Sequence, residues 1–280
     1  MRIALDHSTI YRYDAPVFLE PHVIRLRPRA DGSQRLLRAT LRIEPAPVGT
    51  NDFLDQDGNV ATCAWFAGAV SELAVHSSFE VETLRENPFD YILPSTHLFS
   101  LPLVYGERLA SALAPYLTPG DSAEVKQFAL DLASQNGWRT LDFLNALTRT
   151  LYERSTHIVR DEGPPLPPEE TLSGCTGSCR DLAVLFSASC RYLGIPARFV
   201  SGYECWAGFV GHAYMHAWAE VYLEGGGWRG YDASRGLAVS TAHVAVAAAA
   251  DSELAAPVTG TFRGKAKAEM QFQISMQTGT

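Results

Sequence analysis

The sequence lacks long apolar runs and an excess of basic charge, and both absences exclude classes of protein. Its 280 residues begin with MRIALDHSTIYRYD, which has no long apolar stretch like that of a signal peptide. No segment is apolar for long enough to span a bilayer. The formal net charge is −8, whereas a nucleic-acid surface needs a basic face, and no polybasic run indicates attraction to anionic lipids. We therefore expect neither a nucleic-acid partner nor a membrane partner.

Cysteine is also scarce, and the number of cysteines is odd. The five residues are Cys63, Cys175, Cys179, Cys190 and Cys205. An odd number in a long chain without an export signal argues against a disulfide framework. We expect reduced thiols in a cytoplasmic protein. The sequence indicates no cofactor and does not indicate an oligomeric state.

The first hundred residues have the pattern of β-structure. The segments at 39–47 (ATLRIEPAP) and 70–84 (VSELAVHSSFEVETL) alternate apolar with polar residues, which is the period of half-buried strands. Between them, Asp57-Gly58 precedes a β-rich run and predicts a hairpin turn. Because the length favours about two domains, we predict an N-terminal antiparallel β-sandwich over 1–110.

For the remainder, 111–280, the sequence predicts a core of helices packed on an antiparallel sheet. The predicted fold class is therefore α+β. Helices are expected at 121–137 and 139–155, between a loop-rich region at 95–120 and a proline-rich loop at 161–170. Further strands are expected from the segments ARFVSGY, MHAWAEVYL and WRGYDAS, which begin at residues 197, 215 and 228.

One cysteine lies where its thiol is expected to ionise. Cys179 follows a Gly- and Ser-rich loop and opens an apolar helix, and Ser178 with Asp181 forms an [ST]-x-x-[DE] capping box. The free N–H groups and dipole of a helix start lower a cysteine pKa from about 8.5 into the range ~3.5–7.5. The pattern therefore predicts that Cys179 is a nucleophile, although a lone cysteine at a helix start is more often structural.

Two downstream residues could complete a catalytic set. His216 starts a strand and could serve as the base, and Asp232 on the following strand could orient it. Asp232 could equally cap a turn. His212 and His216 could also suggest a metal site, but four residues of a strand span about 13 Å, which is too far for chelation of one ion. We therefore predict no metal.

The motifs around these residues resemble those of a known family. The segments GSCRDLAVLFSASCRYLGIPARFVSGY and HAWAEVYLEGGGWRGYDAS resemble the bacterial transglutaminase-like proteins of the papain-like cysteine-enzyme superfamily. The N-terminal pattern YRYDAPV…IRLRPR and the tail HVAVAAAADSELAAPVTGTFRG extend the resemblance over most of the chain. It implies that Cys179 is the nucleophile, His216 the base and Asp232 the acid. The alanine run at 247–250 and Cys175 depart from the family pattern.

The resemblance implies an enzyme that forms a thioester on Cys179 from a peptide or glutamine acyl group. Water would then make it a protease or amidase, whereas an amine acceptor would make it a transglutaminase, and the triad does not decide between them. The alternative is a non-catalytic binding module on the same scaffold. The aromatic segment 203–214 is either a long hairpin loop or a wall of the acyl-donor cleft.

Strand register imposes a further condition on Asp232. If the turn Glu224–Gly227 were symmetric, Asp232 would face Ala219, three residues from His216 and on the opposite face of the sheet. The separation would then be about 10 Å, and no triad could form. We therefore predict an asymmetric connection or a β-bulge, near residues 225–227 or at Gly230, that shifts the pairing by an odd number of residues.

Overall fold

The computed structural model describes residues 1–160 and 163–279. The strands are β1 (Arg2–Leu19), β2 (His22–Ile24), β3 (Gln34–Glu44), β4 (Gly49–Leu54), β5 (Val60–Trp65), β6 (Val70–Thr83), β7 (Thr156–His157), β8 (Thr176–Gly177), β9 (Ala197–Glu204), β10 (Val210–His212), β11 (Met215–Leu223), β12 (Gly227–Asp232), β13 (Leu237–Ala238), β14 (His243–Ala249), β15 (Val258–Thr259), β16 (Phe262–Arg263) and β17 (Ala268–Thr278). The helices are α1 (Glu107–Leu117), α2 (Ala123–Gln135), α3 (Thr140–Arg154), α4 (Pro168–Gly174) and α5 (Cys179–Arg191). None of the described helices is both long and apolar enough to cross a membrane.

The predicted α+β class is confirmed, and the first part of the chain forms the predicted sandwich. One antiparallel sheet has the order β10–β17–β1–β6–β3 with β16 beside β1, and the other has the order β15–β2–β5–β4. Apolar side chains from both sheets meet in one cluster, which includes Val17, Ile24, Ala64 and Val75. The alternation of buried and exposed residues along β1 produces this buried face.

The last strand returns to the first sheet. β17 pairs with β1 from Ile3 opposite Thr278 to Tyr13 opposite Ala268. This strand lies within 111–280 but completes a sheet of the N-terminal sandwich, and β10, β15 and β16 also join the sandwich sheets. A local sequence pattern cannot show which distant strand fills a sheet edge. The division near residue 110 stays a prediction.

The core is built on a five-stranded antiparallel sheet with the order β13–β12–β11–β9–β14. Helix α5 packs on this sheet, and its predicted apolar stripe is buried against the neighbouring helices: Leu182, Phe186 and Cys190 lie in one cluster with Leu144 and Leu147 of α3. The helices predicted at 121–137 and 139–155 correspond to α2 and α3. This packing fixes α5 between the sheet and the other helices.

Two helices lie where loops were predicted. Helix α1 occupies part of 95–120, where its Pro115 obscured the helical pattern. Helix α4 begins within the proline-rich segment 161–170, because proline is well suited to the first turn of a helix and Pro168 takes that place. Residues 161 and 162 of the predicted loop lie outside the described residues.

Candidate active site

Helix α5 begins at Cys179, as predicted, and a buried capping network fixes that start. Asp181 Oδ2 accepts hydrogen bonds from the N–H (2.7 Å) and the Oγ (2.8 Å) of Ser178. Its Oδ1 accepts from Arg160 Nη2 (2.6 Å) and from the N–H of Leu166 (2.7 Å). Because Asp181 is fully buried and both of its oxygens are paired, the first turn of α5 is held in one position.

Small side chains bring this first turn close to the sheet. Cys179 lies at the edge of a cluster made mainly of alanines: Ala183, Phe199, Ala217, Ala247, Ala249 and Ala255. Because an alanine projects only a methyl group, the helix start can approach the strands more closely than over larger residues. The alanine run that departs from the family pattern thus contributes to the surface beneath the candidate nucleophile.

The environment of the Cys179 sulfur favours the thiolate. Burial raises the pKa of this thiol, but hydrogen bonds from His157 and His216, the charge of His216 and the N–H of Ala217 lower the pKa to about 6. The position at the first residue of α5 adds the positive end of the helix dipole. At neutral pH the sulfur is therefore mostly ionised.

Strand β11 positions His216 beside the Cys179 thiol. His216 pairs with Gly202 of β9, and a Cβ at Gly202 would lie 2.1 Å from the carbonyl oxygen of Val244 and 2.7 Å from the ring of Trp218. Only glycine fits there. The rings of Trp218 and His216 are stacked, with centroids 6.3 Å apart and planes 30° apart. The imidazole is therefore held in a fixed orientation.

The hairpin between β11 and β12 has the register that the proposed triad requires, but it reaches that register through a three-residue loop and not through the predicted asymmetric connection or β-bulge. Three residues, 224–226, separate the strands, and Leu223 pairs with Gly227. This pairing shifts the register by one residue from the symmetric case. Asp232 then comes two residues from the position opposite His216 and on the same face of the sheet. The prediction of an odd shift is confirmed, and Gly227, the first residue after the loop, has a φ of +68°.

Asp232 is fully buried and has several hydrogen-bond donors. Its Oδ2 accepts from His216 Nε2 (2.6 Å) and His243 Nε2 (3.0 Å). Its Oδ1 accepts from the N–H (2.9 Å) and the Oγ (2.7 Å) of Ser234, and from the N–H of Arg235 (3.2 Å). Burial would raise the pKa of this carboxyl, but the hydrogen bonds and charges of the two histidines lower it well below its ordinary range.

These contacts define the proton positions on His216. A carboxylate only accepts, so Nε2 donates to Asp232 and Nδ1 faces Cys179. Burial lowers the pKa of His216, but the hydrogen bonds and negative charges of Asp232 and Cys179 raise it to about 10. Their interaction lowers the pKa of the thiol and raises the pKa of the imidazole, so the contacts favour the thiolate and imidazolium form of the pair.

The site includes two histidines that were not predicted from the sequence. His157 lies on β7, which pairs in parallel with β8 so that His157 is opposite Gly177, and its interaction with the Cys179 thiol lowers the pKa of that thiol. His243 opens β14 and donates to Asp232. His157 belongs to none of the motifs quoted above, and His243 opens the quoted tail segment but had no role assigned to it. Both reach the site through the pairing of strands.

Three ligand-type atoms of His216, Asp232 and His243 lie within 4.8 Å of one another. The Nε2 atoms of His216 and His243 both lie at hydrogen-bond distance from Oδ2 of Asp232. Metal ligands would instead point at a common position occupied by the ion. The geometry therefore describes a hydrogen-bond network.

Two further contacts lie near the site, one within the core and one that joins the segment before β11 to the sandwich. Arg235 Nε and Nη2 donate to Glu204 Oε2 at 2.8 and 2.5 Å, which ties the residues after Asp232 to the end of β9. Within the aromatic segment 203–214, β10 pairs with β17 of the sandwich. The two predicted interpretations of that segment stay open, although the pairing shows that the segment is attached to the sandwich.

Comparison with known families gives two matches. Residues 3–82 match the bacterial transglutaminase-like N-terminal region, and residues 127–233 match the transglutaminase-like superfamily. The second match spans Cys179, His216 and Asp232.

Three similar proteins extend the comparison. The Mycobacterium leprae protein described as uncharacterized protein ML0607 is 25% identical, and the alignment covers 98% of each chain. A structure from Cytophaga hutchinsonii, described as a candidate cysteine protease, is 22% identical, with a TM-score of 0.70 over 98% of this chain and 90% of that one, and shows the same fold. The periplasmic domain of TgpA from Pseudomonas aeruginosa is 12% identical, with a TM-score of 0.41 over 82% of this chain and 88% of that domain, too low for any argument about this chain.

Proposed function

We propose, from the matches of this chain to the bacterial transglutaminase-like N-terminal region and to the transglutaminase-like superfamily, that it is a cysteine-dependent enzyme acting on amide bonds of a peptide or protein. One arrangement carries the proposal. Cys179 begins a helix, His216 lies close enough to lower the pKa of its thiol, and Nε2 of His216 donates to the buried Asp232 at 2.6 Å. A thiolate, an imidazolium and an anchoring carboxylate in this order suit acyl transfer.

In the acylation step, the Cys179 sulfur attacks the carbonyl carbon of the substrate amide and forms a C–S bond. The N–H of Cys179, at the first position of α5, is placed to donate to the oxyanion. His216 gives its Nδ1 proton to the nitrogen of the leaving amine, and the C–N bond breaks. The products are a thioester and a free amine, or ammonia when the donor is a glutamine side chain.

In the second step, a nucleophile attacks the thioester while His216 takes up its proton, and the C–S bond breaks to restore the thiolate. Water as nucleophile gives hydrolysis, and a primary amine gives transamidation. The triad supports both reactions equally. We therefore propose the shared thioester chemistry as the function and leave the acceptor to experiment.

The test is incubation with peptides that contain glutamine, with and without a primary-amine probe, followed by mass spectrometry. A shortened peptide indicates proteolysis, conversion of glutamine to glutamate indicates amidase activity, and attachment of the probe indicates transamidation. Cys179→Ala is the matched control. Absence of all three products over a broad panel of peptides, and of any trapped adduct with peptide aldehydes, would contradict the proposal.

Labelling with iodoacetamide separates the enzyme from the alternative, a non-catalytic binding module. An enzyme has one hyper-reactive thiol near neutral pH, at Cys179, whereas an inactive scaffold has none. The cytoplasmic location and the absence of nucleic-acid and membrane partners stay predictions.

A further inference from the structure

His243 lies in the candidate site, but the proposed reaction assigns it no role. The residue is buried at the start of β14, and its Nε2 donates to Asp232 Oδ2 at 3.0 Å. The other nitrogen, Nδ1, is buried and has no hydrogen-bond partner among the described residues. The ring packs edge-on against Trp218, with centroids 5.1 Å apart. The one polar contact of this side chain is therefore with the candidate acid.

Both histidines donate to the same oxygen of Asp232. His216 Nε2 lies 2.6 Å from Oδ2 and His243 Nε2 lies 3.0 Å from it, while Oδ1 is occupied by Ser234 and Arg235. Every donor that stabilises a carboxylate makes it a weaker base. A second donor to Oδ2 therefore weakens the hydrogen bond that this oxygen accepts from His216 Nε2.

We infer that His243 is a positioning residue that shares Asp232 Oδ2 with His216 and thereby limits how strongly the carboxylate holds the His216 imidazolium. The inference rests on the proposed function, in which His216 must give its Nδ1 proton to the leaving amine. An imidazolium held too strongly is a weaker acid and transfers that proton more slowly. Without His243, Asp232 would still anchor His216 but would make it a poorer acid.

Other charged or titratable groups also surround His216 and Asp232, and the experiment must leave them unchanged. They are Cys179 from α5, His157 from β7, Arg235 after β12 and Glu204 from β9. His243 is the one that can be replaced without altering these contacts, because its own polar contact is with Asp232.

The experiment compares two variants by NMR of protein labelled with ¹⁵N at histidine. His243→Leu keeps an apolar volume and removes the donor, whereas His243→Gln keeps a donor that can reach Oδ2. In the leucine variant we expect the His216 Nε2–H proton to move further downfield, because the carboxylate with one donor fewer attracts it more strongly. We expect turnover to fall about tenfold, the equivalent of about one pKa unit in the acidity of His216. The glutamine variant should restore both values.

A matched control tests for general effects of losing a buried histidine. His22→Leu removes a buried imidazole of β2 in the sandwich, which donates to the backbone carbonyl of Glu20, and it should leave the His216 signal unchanged. If His243→Leu does not fold, His243→Asn serves as the donorless variant, because its shorter side chain does not reach Oδ2. An unchanged or upfield His216 signal in the donorless variant, or equal shifts in the donorless and glutamine variants, would overturn the inference.

The NMR comparison needs no substrate, so its failure is distinguishable from failure of the proposed function. The proposed function fails if wild-type Cys179 shows no thiolate reactivity below the ordinary thiol pKa. The inference about His243 fails if that reactivity is present but removal of the donor leaves the His216 proton unchanged.

Discussion

The sandwich and the core use their strands in opposite ways. Along β1 buried and exposed residues alternate, so polar side chains on one face meet solvent. Strands β9, β11 and β14 are buried along nearly their whole length. A polar side chain in the core therefore has to find partners inside the protein. Asp232 meets this requirement with donors to both oxygens, and the contacts among Cys179, His216 and Asp232 shift the pKa values of Cys179 and His216 against the effect of burial.

The most severe test of this comparison is removal of the nucleophile. Cys179→Ala is expected to abolish turnover and to change the free energy of unfolding by less than about 0.5 kcal/mol, because the residue lies at a helix start beside small side chains. Cys190→Ala is the matched control. It empties part of the fully buried cluster on α5, so it should lower the free energy of unfolding by about 1 kcal/mol and spare turnover. Near-normal turnover in Cys179→Ala would remove the central claim.

Removal of the buried negative charge of Asp232 should have the next largest effect on turnover. Asp232→Asn keeps the shape of the side chain but removes the negative charge beside His216. We therefore expect turnover to fall by about 10³-fold or more. Alkylation of Cys179 by iodoacetamide should continue at a reduced rate. The pKa of His216 should fall from about 10, and the imidazolium would then be lost at lower pH. A drop in melting temperature with unchanged turnover would show that Asp232 only stabilises the turn.

Enlarging the alanine surface beneath the nucleophile should produce a smaller effect. Ala247→Val adds bulk between α5 and the sheet, and overpacking of this kind costs about 1–3 kcal/mol. Ala4→Val makes the same change on the exposed face of β1 and should alter stability by less than about 0.5 kcal/mol. Chemical denaturation measures both. Equal costs at the two sites would show that the core strands are no more tightly packed than those of the sandwich.

The smallest effect is expected at His157. Its hydrogen bond helps to lower the pKa of Cys179, so His157→Phe should move the midpoint of the alkylation profile above pH 6 by less than about one unit. The thiolate is present above this midpoint and is lost as the pH falls through it. His212→Phe, at an exposed position of β10, is the control. A midpoint that does not move would show that His157 lies beside the sulfur without stabilising it.

Local sequence patterns predicted the features that depend on neighbouring residues. Ser178 and Asp181 indicated where α5 begins, and alternation indicated β3 and β6. The register of β11 and β12 was predicted because a symmetric turn would have separated Asp232 from His216. The return of β17 to β1 could not be predicted in this way, because it pairs residues at opposite ends of the chain. His243 was missed for the same reason, since its contact with Asp232 depends on sheet order.

The placement of β17 has a consequence for shortened forms of the protein. The strand lies between β1 and β10, and Thr278 also exchanges hydrogen bonds with Phe209, ahead of the base strand. Removal of residues 268–278 would leave β1 with an open hydrogen-bonding edge from Ile3 to Tyr13, of the kind that promotes aggregation. It would also release the segment that leads to His216. Proteolysis of β17 would thus affect the candidate active site, because it would leave β10 and the segment before His216 without their pairing strand.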